Sequence, residues 1–400
     1  IHGRAARVKV ALVSGVPLKN ASEIGAAYYT RALAAELLRE GLDVELWSKL
    51  GCGEAEPSEA PVVPAWRPGW FAWLDLIRAV RARKPDIVHL QHSIFVLGAG
   101  AVGEFSTLLL LVLLRLMKRR LVVTCHDIPE LDQITPGYVR LHGYKFPAPL
   151  VIAGLRTLFF TIAVCANAIV VHQEVFAAIL ARDFYVPREK IAVIPLVAIP
   201  TRASDSEKAR AILGMPSDAR LLLFFGFATR YKGIELLLDA MRAAGPGSAL
   251  RLLLGAGEHP KVDRMPEYHA YYEALRRQAS STTGVQFLGF LPDEQLNDYI
   301  AAADLAIFPY IEFQGMSGPL SIFASHGKPF FVSTKIAEKI PGLSACVFEP
   351  VSSAIADKTA RFFEDAEFRA AVEAECRRFT AAVLGNNARA LTIDLYRAIR

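Results

Sequence analysis

Short apolar runs alternate with longer amphipathic stretches along most of the chain. Val8–Ser14 (VKVALVS) is apolar without period-two alternation, which predicts a strand buried on both faces. Thr30–Glu40 places its apolar residues at helical spacing, and Gly41 stops it. Val44–Trp47, Asp86–Gln91, Leu121–Cys125 and Ala168–Val171 repeat the strand signal, with helical stretches between them. Such a βαβα rhythm predicts a parallel sheet covered on both faces. Pro195–Ser206 (PLVAIPTRASDS) interrupts it and reads as a hinge linker. The rhythm then restarts, with strands at Leu221–Phe225, Arg251–Leu254, Val285–Leu288, Leu305–Phe308 and Phe330–Ser333. Glu235–Ala244, Tyr268–Ser280 and Glu294–Ala303 read as its helices.

A chain of 400 residues exceeds what one core normally supports. The expectation is therefore α/β with two Rossmann-like, doubly wound parallel-sheet domains, residues 1–198 and 199–385. Two such domains would set a cleft between two sets of strand C-termini, the edge where open α/β sheets bind ligands.

Composition sharpens this picture modestly. With 53% apolar and 21% charged residues the chain is globular and not disordered. Its net charge of +5, without a basic tail or a nucleic-acid motif, gives no reason to expect a nucleic-acid partner. Cys52, Cys125, Cys165, Cys346 and Cys376 are scattered, and no pair has metal-ligand spacing. Buried free thiols in a reducing, cytoplasmic setting are expected. The longest apolar run, Leu108–Leu114, falls short of the about 20 residues a bilayer requires. It reads as a buried helix.

Three places carry candidate chemistry. In Ala303–Pro329 a strand runs into a Gly- and Ser-containing loop, Gln314–Pro319, and then into a helix start. Free backbone N–H groups and the helix dipole would make this an anion or nucleotide seat. Gly226–Gly233 (GFATRYKG) directly follows the strand Leu221–Phe225, so Arg230 and Lys232 sit just before a helix. A guanidinium fork and a compact ammonium there can neutralise a diphosphate; the bland alternative is a solvated turn. His126 follows Leu121–Cys125 and precedes Asp127, where it could hydrogen-bond a ligand hydroxyl or merely cap a turn. His89 alternates inside a strand and reads as core, whereas His92 and His172 end strands.

The order of these pieces resembles a known family. GFATRYKGIELLLDAM resembles the opening of the second domain in family-four retaining glycosyltransferases of the GT-B fold (glycosyl transferases group 1), usually G-R-x-x-x-x-K-G. LLLGAG (Leu252–Gly257), VQFLGFLPDEQL (Val285–Leu296), ADLAIFPY and GKPFFVST continue the order. LDVELWS, PDIVHLQH, LVVTCHD, ANAIVVHQE and KIAVIPL follow it more loosely in the first half. The resemblance implies a hexosyltransferase that moves a sugar from a UDP- or GDP-sugar to a glycan or lipid-linked acceptor, with retention. It also implies that residues 386–400 form a last helix crossing back to the first domain.

By the same resemblance Lys232 and Arg230 bind the donor diphosphate, with Phe227 at the family's usual arginine position. Gly25 lies in the loop that approaches the phosphates, with Ala26 in place of a second glycine. Gly257 lines the donor side, Leu291 and Asp293 fall where the base is contacted, and His126 stands near the transferred sugar. Gln314 and Ile322 occupy positions where the family usually carries two glutamates. Gln314, Ser317 and the N–H of Gly318 would then orient donor hydroxyls and phosphate, with Glu312 nearby. A loop without those carboxylates fits leaving-group stabilisation and front-face attack by the acceptor better than a protein nucleophile. With no Asp-x-Asp motif, and cations able to replace a metal, no metal or other cofactor is expected. A sugar-nucleotide epimerase of the same architecture and a binding protein that has lost catalysis are the competing readings. A dinucleotide oxidoreductase is disfavoured, because Gly255-Ala-Gly257 is only a fragment of the fingerprint.

Trp66, Trp70, Phe71 and Trp73, followed by Arg78, Arg81, Arg83 and Lys84, form an aromatic and basic stretch suited to a membrane interface. The basic cluster Arg115–Arg120 would add to it. That reading makes the protein peripheral at the inner membrane face; the competing one is a core helix with a solvated basic face.

Overall fold

The computed structural model describes residues 7–16, 25–51, 58–93, 96–98, 100–141, 144–197, 205–245, 247–258, 266–313, 315, 317–383 and 387–399. The chain divides into two compact units. The first comprises residues 1–197, 314–318 and 385–400; the second comprises 198–313 and 319–384.

The first unit has strands β1 (Lys9–Val13), β2 (Asp43–Lys49), β3 (Val62–Trp66), β4 (Ile87–His92), β5 (Arg120–Cys125), β6 (Ala168–Val171) and β7 (Ile191–Val193). They form one sheet in the order β3-β2-β1-β4-β5-β6-β7, with every pairing parallel. Helices α1 (Gly25–Arg39), α2 (Ala72–Arg83), α3 (Gly100–Leu116), α4 (Pro136–Leu141), α5 (Ala148–Cys165) and α6 (Glu174–Phe184) connect them.

The second unit has β8 (Arg220–Phe227), β9 (Leu250–Gly257), β10 (Val285–Phe287), β11 (Leu305–Phe308), β12 (Phe330–Ser333) and β13 (Val347–Phe348). Their order is β10-β9-β8-β11-β12-β13, again all parallel. Its helices are α7 (Ser206–Ile212), α8 (Ile234–Ala244), α9 (Pro266–Ser280), α10 (Asp293–Ala302), α11 (Gly318–Ser325), α12 (Thr334–Ala337), α13 (Ser352–Glu364) and α14 (Ala366–Val383). The chain then returns, and α15 (Ala388–Ala398) packs on α1 within the first unit.

Both cores are what continuous apolar strands dictate. Val10–Val13, Leu221–Phe225, Leu305–Phe308 and Phe330–Val332 are buried throughout, and each central strand is covered on two faces. In the first unit α2 packs on α3, α3 on α5 and α5 on α6, forming one layer of helices. The register of β4 on β5 pairs His89 with Val122 and Gln91 with Thr124, which puts His89, Gln91 and Thr124 on one face. Tyr396 of α15 reaches His89 on that face. His92 meets Phe159 of α5 and Glu104 of α3, on the opposite face.

Three strands escape the hydrophobic pattern: β3, β7 and β13, each at the edge of its sheet. Two of them are very short and the third contains Pro64, which edge strands tolerate. Trp66 ends β3 and is fully buried, so it belongs to the core and not to the surface stretch in which it was expected. Nor is α3 a wholly buried helix, because Phe105, Val112 and Leu116 are exposed. The middle of the expected linker, 198–204, and the N-terminal loop, 17–24, lie outside the described residues.

Candidate functional site

The turn after β8 is built around one glycine. Arg230–Lys232 form a single 3-10 turn, and Gly233 ends it at φ 61° while opening α8. A Cβ at Gly233 would stand 2.3 Å from the carbonyl oxygen of Pro309, so only glycine fits beside the β11 exit. That exit is also tied to the turn, since Ile311 donates its N–H to the carbonyl of Tyr231 at 2.8 Å.

This geometry separates the two cations. Arg230 is exposed, and its guanidinium lies over the Tyr271 ring at 4.6 Å. Lys232 turns inward and is only 4% exposed. Among the described residues no carboxylate pairs with it. The rings of Phe227, Tyr231 and Tyr310 surround its Nζ at 5.6, 6.0 and 5.8 Å. Their π faces offset part of the cost of removing an ammonium from water. Burial still lowers its pKa from 10.5 to about 7. The chemistry available is an almost dry cation beside Gly226, able to meet an anion at the strand end.

The other expected donor contacts are distributed unevenly. Gly257 ends β9, where a Cβ would meet Phe290 at 3.3 Å. Leu291 is buried with its Cδ1 against Gly255, so contact with a base there would fall to its main chain. Asp293 opens α10, and its side chain lies outside the described residues, as does Gln314 entirely. Gly25 begins α1. Ser317 is buried, and Gly318 is the first residue of α11. The loop of residues 314–318 clusters with the first unit, although the strand and helix flanking it belong to the second. Gly315 bridges Asp127 there, and a Cβ at Gly315 would stand 2.0 Å from the carbonyl oxygen of His126.

His126 belongs to a connected set of side chains. The β4–β5 register advances along the strands, so Gln91 reaches His126 just as His89 reaches Thr124. His126 Nε2 is 2.9 Å from Gln91 Oε1, and its Nδ1 is 3.4 Å from His172 Nε2. His172 Nδ1 lies 2.9 Å from the carbonyl oxygen of Ile194, which fixes it as the donor. Tyr29 of α1 stands edge-on to both rings, at 5.3 and 4.9 Å between centroids. His89 bonds the Tyr396 hydroxyl at 2.6 Å and Thr124 at 2.7 Å.

Burial drives all three imidazoles towards the neutral form. It lowers His89 to about 3 and His172 to about 4. His126 lies well below its ordinary value through burial and the neighbouring His172, His89 and His92. With His172 donating from Nδ1, a neutral His126 donates from Nδ1 to His172 and accepts at Nε2. Gln91 meets that requirement by turning its amide nitrogen, which otherwise has no partner among the described residues, toward His126. Both ring nitrogens of His126 are therefore engaged, and a ligand hydroxyl would have to displace Gln91 or His172. Gln91, His172 and Tyr29 were not among the residues expected to act with His126. The available signal was a histidine at the end of each of three successive strands, β4, β5 and β6.

Both units match known sequence families. Residues 24–197 match Glycosyltransferase Family 4, and residues 219–365 match Glycosyl transferases group 1. The chain resembles a D-inositol 3-phosphate glycosyltransferase of Mycolicibacterium smegmatis, with 25% identity across 83% of this chain and 75% of that protein. Sucrose-phosphate synthase from Thermosynechococcus elongatus superposes with a TM-score of 0.71 at 19% identity, covering 98% of this chain and 99% of that one. Anabaena HepE in complex with UDP and glucose superposes with a TM-score of 0.69 at 17% identity, with the same coverage. Two parallel-sheet α/β units and these neighbours define the GT-B fold. The chain belongs to the glycosyltransferases, with a family-four first unit and a group-1 second unit, and is an enzyme that moves a sugar.

Proposed function

We propose that the enzyme takes its sugar from a UDP- or GDP-sugar and delivers it, with retention, to a glycan or lipid-linked acceptor. The observation that carries this reading is Lys232, a buried ammonium without a carboxylate partner among the described residues, at the C-terminal end of β8. Lys232 and the exposed Arg230 hold the donor diphosphate and stabilise the charge that builds as the sugar–phosphate bond breaks. Ser317 and the N–H of Gly318 orient donor oxygens, and His126 contacts the transferred sugar by exchanging one of its present partners. HepE structures with UDP and with UDP-glucose support a nucleotide-sugar donor for a protein of this fold.

Retention is proposed to proceed by attack of the acceptor hydroxyl on the face the diphosphate leaves. The departing phosphate oxygen takes the hydroxyl proton, and no protein nucleophile is needed. The protein's own cations are proposed to make a metal unnecessary. Nucleotide release across a panel of UDP- and GDP-sugars, with Lys232→Ala as control, tests the donor. Absence of both binding and release would overturn the reading. An inverted product anomer in NMR would overturn retention, and loss of all turnover in a chelator would overturn metal independence.

A further inference from the structure

The outer surface of α3 and α5 is unusual for a helix layer facing water. On α5, Leu150, Phe160 and Val164 are 58%, 64% and 51% exposed, while Val151, Leu155, Leu158, Phe159 and Ile162 of the same helix are buried. By length and composition alone α5 could span a membrane. Its inward face is committed to the protein core, however, so it is held lengthwise on the domain surface. Its outward stripe is more apolar than its sequence suggests. Thr157 and Thr161 donate their hydroxyls to the carbonyls of Ala153 and Thr157, at 2.9 and 2.8 Å, which satisfies those hydroxyls within the helix.

Phe105, Val112 and Leu116 continue the stripe along α3, which packs on α5. Trp70, 57% exposed, closes one end against the Phe105 ring at 5.4 Å. The exposed charges that these two helices themselves carry have one sign, and Asp183 of the adjoining α6, which feels Arg156, is paired with Arg182. Arg156 is the only charged residue of α5, and Arg115 and Lys118 stand exposed at the end of α3. The one acid in either helix, Glu104, is turned to His92 at 3.5 Å. A two-fold contact between copies of this surface would bring cation against cation. Anionic lipid headgroups complement it, with an acyl boundary to receive the apolar stripe.

We propose that the α3–α5 face docks on an anionic bilayer. Leu150, Phe160 and Leu116 enter the acyl boundary, and Arg115, Lys118 and Arg156 engage the headgroups. The inference rests on exposure and charge and is independent of the donor reading. Of the stretch expected at a membrane from sequence, Trp66 is core, whereas Trp70 and the Arg115–Arg120 cluster border this surface and its apolar stripe comes from α3 and α5.

The test is flotation of the full chain with phosphatidylcholine vesicles, alone and mixed with phosphatidylglycerol. The wild-type chain is expected to float with the mixed vesicles and about tenfold less with phosphatidylcholine alone. Leu150→Glu with Phe160→Glu is expected to abolish flotation while circular dichroism, thermal melting and vesicle-free nucleotide release stay unchanged. Arg115→Glu with Lys118→Glu, which leaves the apolar stripe intact, is expected to remove the preference for phosphatidylglycerol and carries the test if the first pair fails to fold. Wild-type protein that does not float, or variants that float like wild type, would overturn the proposal. So would a concentration-dependent dimer, seen by light scattering without flotation, that the first pair disrupts.

Discussion

Lys232 and His126 both stand just beyond the C-terminal end of a parallel strand, yet they are held in opposite ways. His126 is half-buried and fully engaged by its own domain, through Gln91, His172 and, beyond it, the Ile194 carbonyl. Lys232 is buried among Phe227, Tyr231 and Tyr310, with no carboxylate neighbour among the described residues. A satisfied polar network rigidifies, whereas a dry, unpaired cation stores electrostatic free energy that an anion can release. On the proposed reading the histidines set a shape, and the lysine supplies the drive for binding.

The sharpest way to break this contrast is to remove the ammonium. Lys232→Ala is expected to weaken nucleotide-sugar binding by about a hundredfold, on the scale of a charge-assisted hydrogen bond of about 3 kcal/mol; calorimetry checks it. If the lysine is strained in the free protein, Lys232→Met should raise the melting temperature. The depressed pKa means that the unfolded chain holds this proton more tightly than the folded one. The destabilisation is thus complete below about pH 7 and vanishes above 10.5. The gain from Lys232→Met should therefore be largest at neutral pH and shrink toward pH 10.

Gly233→Ala tests whether the turn alone keeps the lysine inward. With the added methyl 2.3 Å from the Pro309 carbonyl and φ at 61°, a stability loss of about 1–3 kcal/mol in denaturant melts is expected, with weaker donor binding. His172→Phe probes the other side of the contrast. It orphans the Nδ1–H of His126 and should cost about 1–2 kcal/mol of stability, with donor affinity falling far less than in Lys232→Ala. A His172 variant that weakened donor binding as strongly as Lys232→Ala would erase the distinction. The smallest effect is the pH slope. Lys232 must gain a proton to bind a diphosphate above pH 7, so affinity should fall by up to about tenfold per unit as pH rises. Calorimetry in buffers of different ionisation enthalpy should show the matching proton uptake.

The same contrast separates what was legible in the sequence from what was not. The Lys232 turn is local: GFATRYKG holds the turn and its glycine, with the strand running into it and the helix directly after, and each signal agrees with the next. The histidine network is not local, because its bonds join residues 35 and 46 positions apart through the register of three strands. No period in the chain reveals that His126 answers to Gln91 and His172. The central strands were readable because burial on both faces leaves an unbroken apolar run. The edge strands β3, β7 and β13 were not, because short, partly exposed strands need no such run. The α5 stripe was hidden for a related reason: a helix apolar all round reads as core until the fold decides which face is covered.

The hydrogen bond between His89 and Tyr396 has a consequence for how the protein is made. It joins positions 307 residues apart, and α15 covers part of the first sheet's polar face. A ribosome therefore delivers nearly all of the first unit, then the whole second unit, before the helix that completes the first. Until α15 emerges, His89 in β4 lacks that partner and its surroundings are open to water. The second unit, contiguous apart from one short loop, is free to mature first. The first unit should then complete its folding only after the second unit has been made, with the eleven-residue α15 as its closing step.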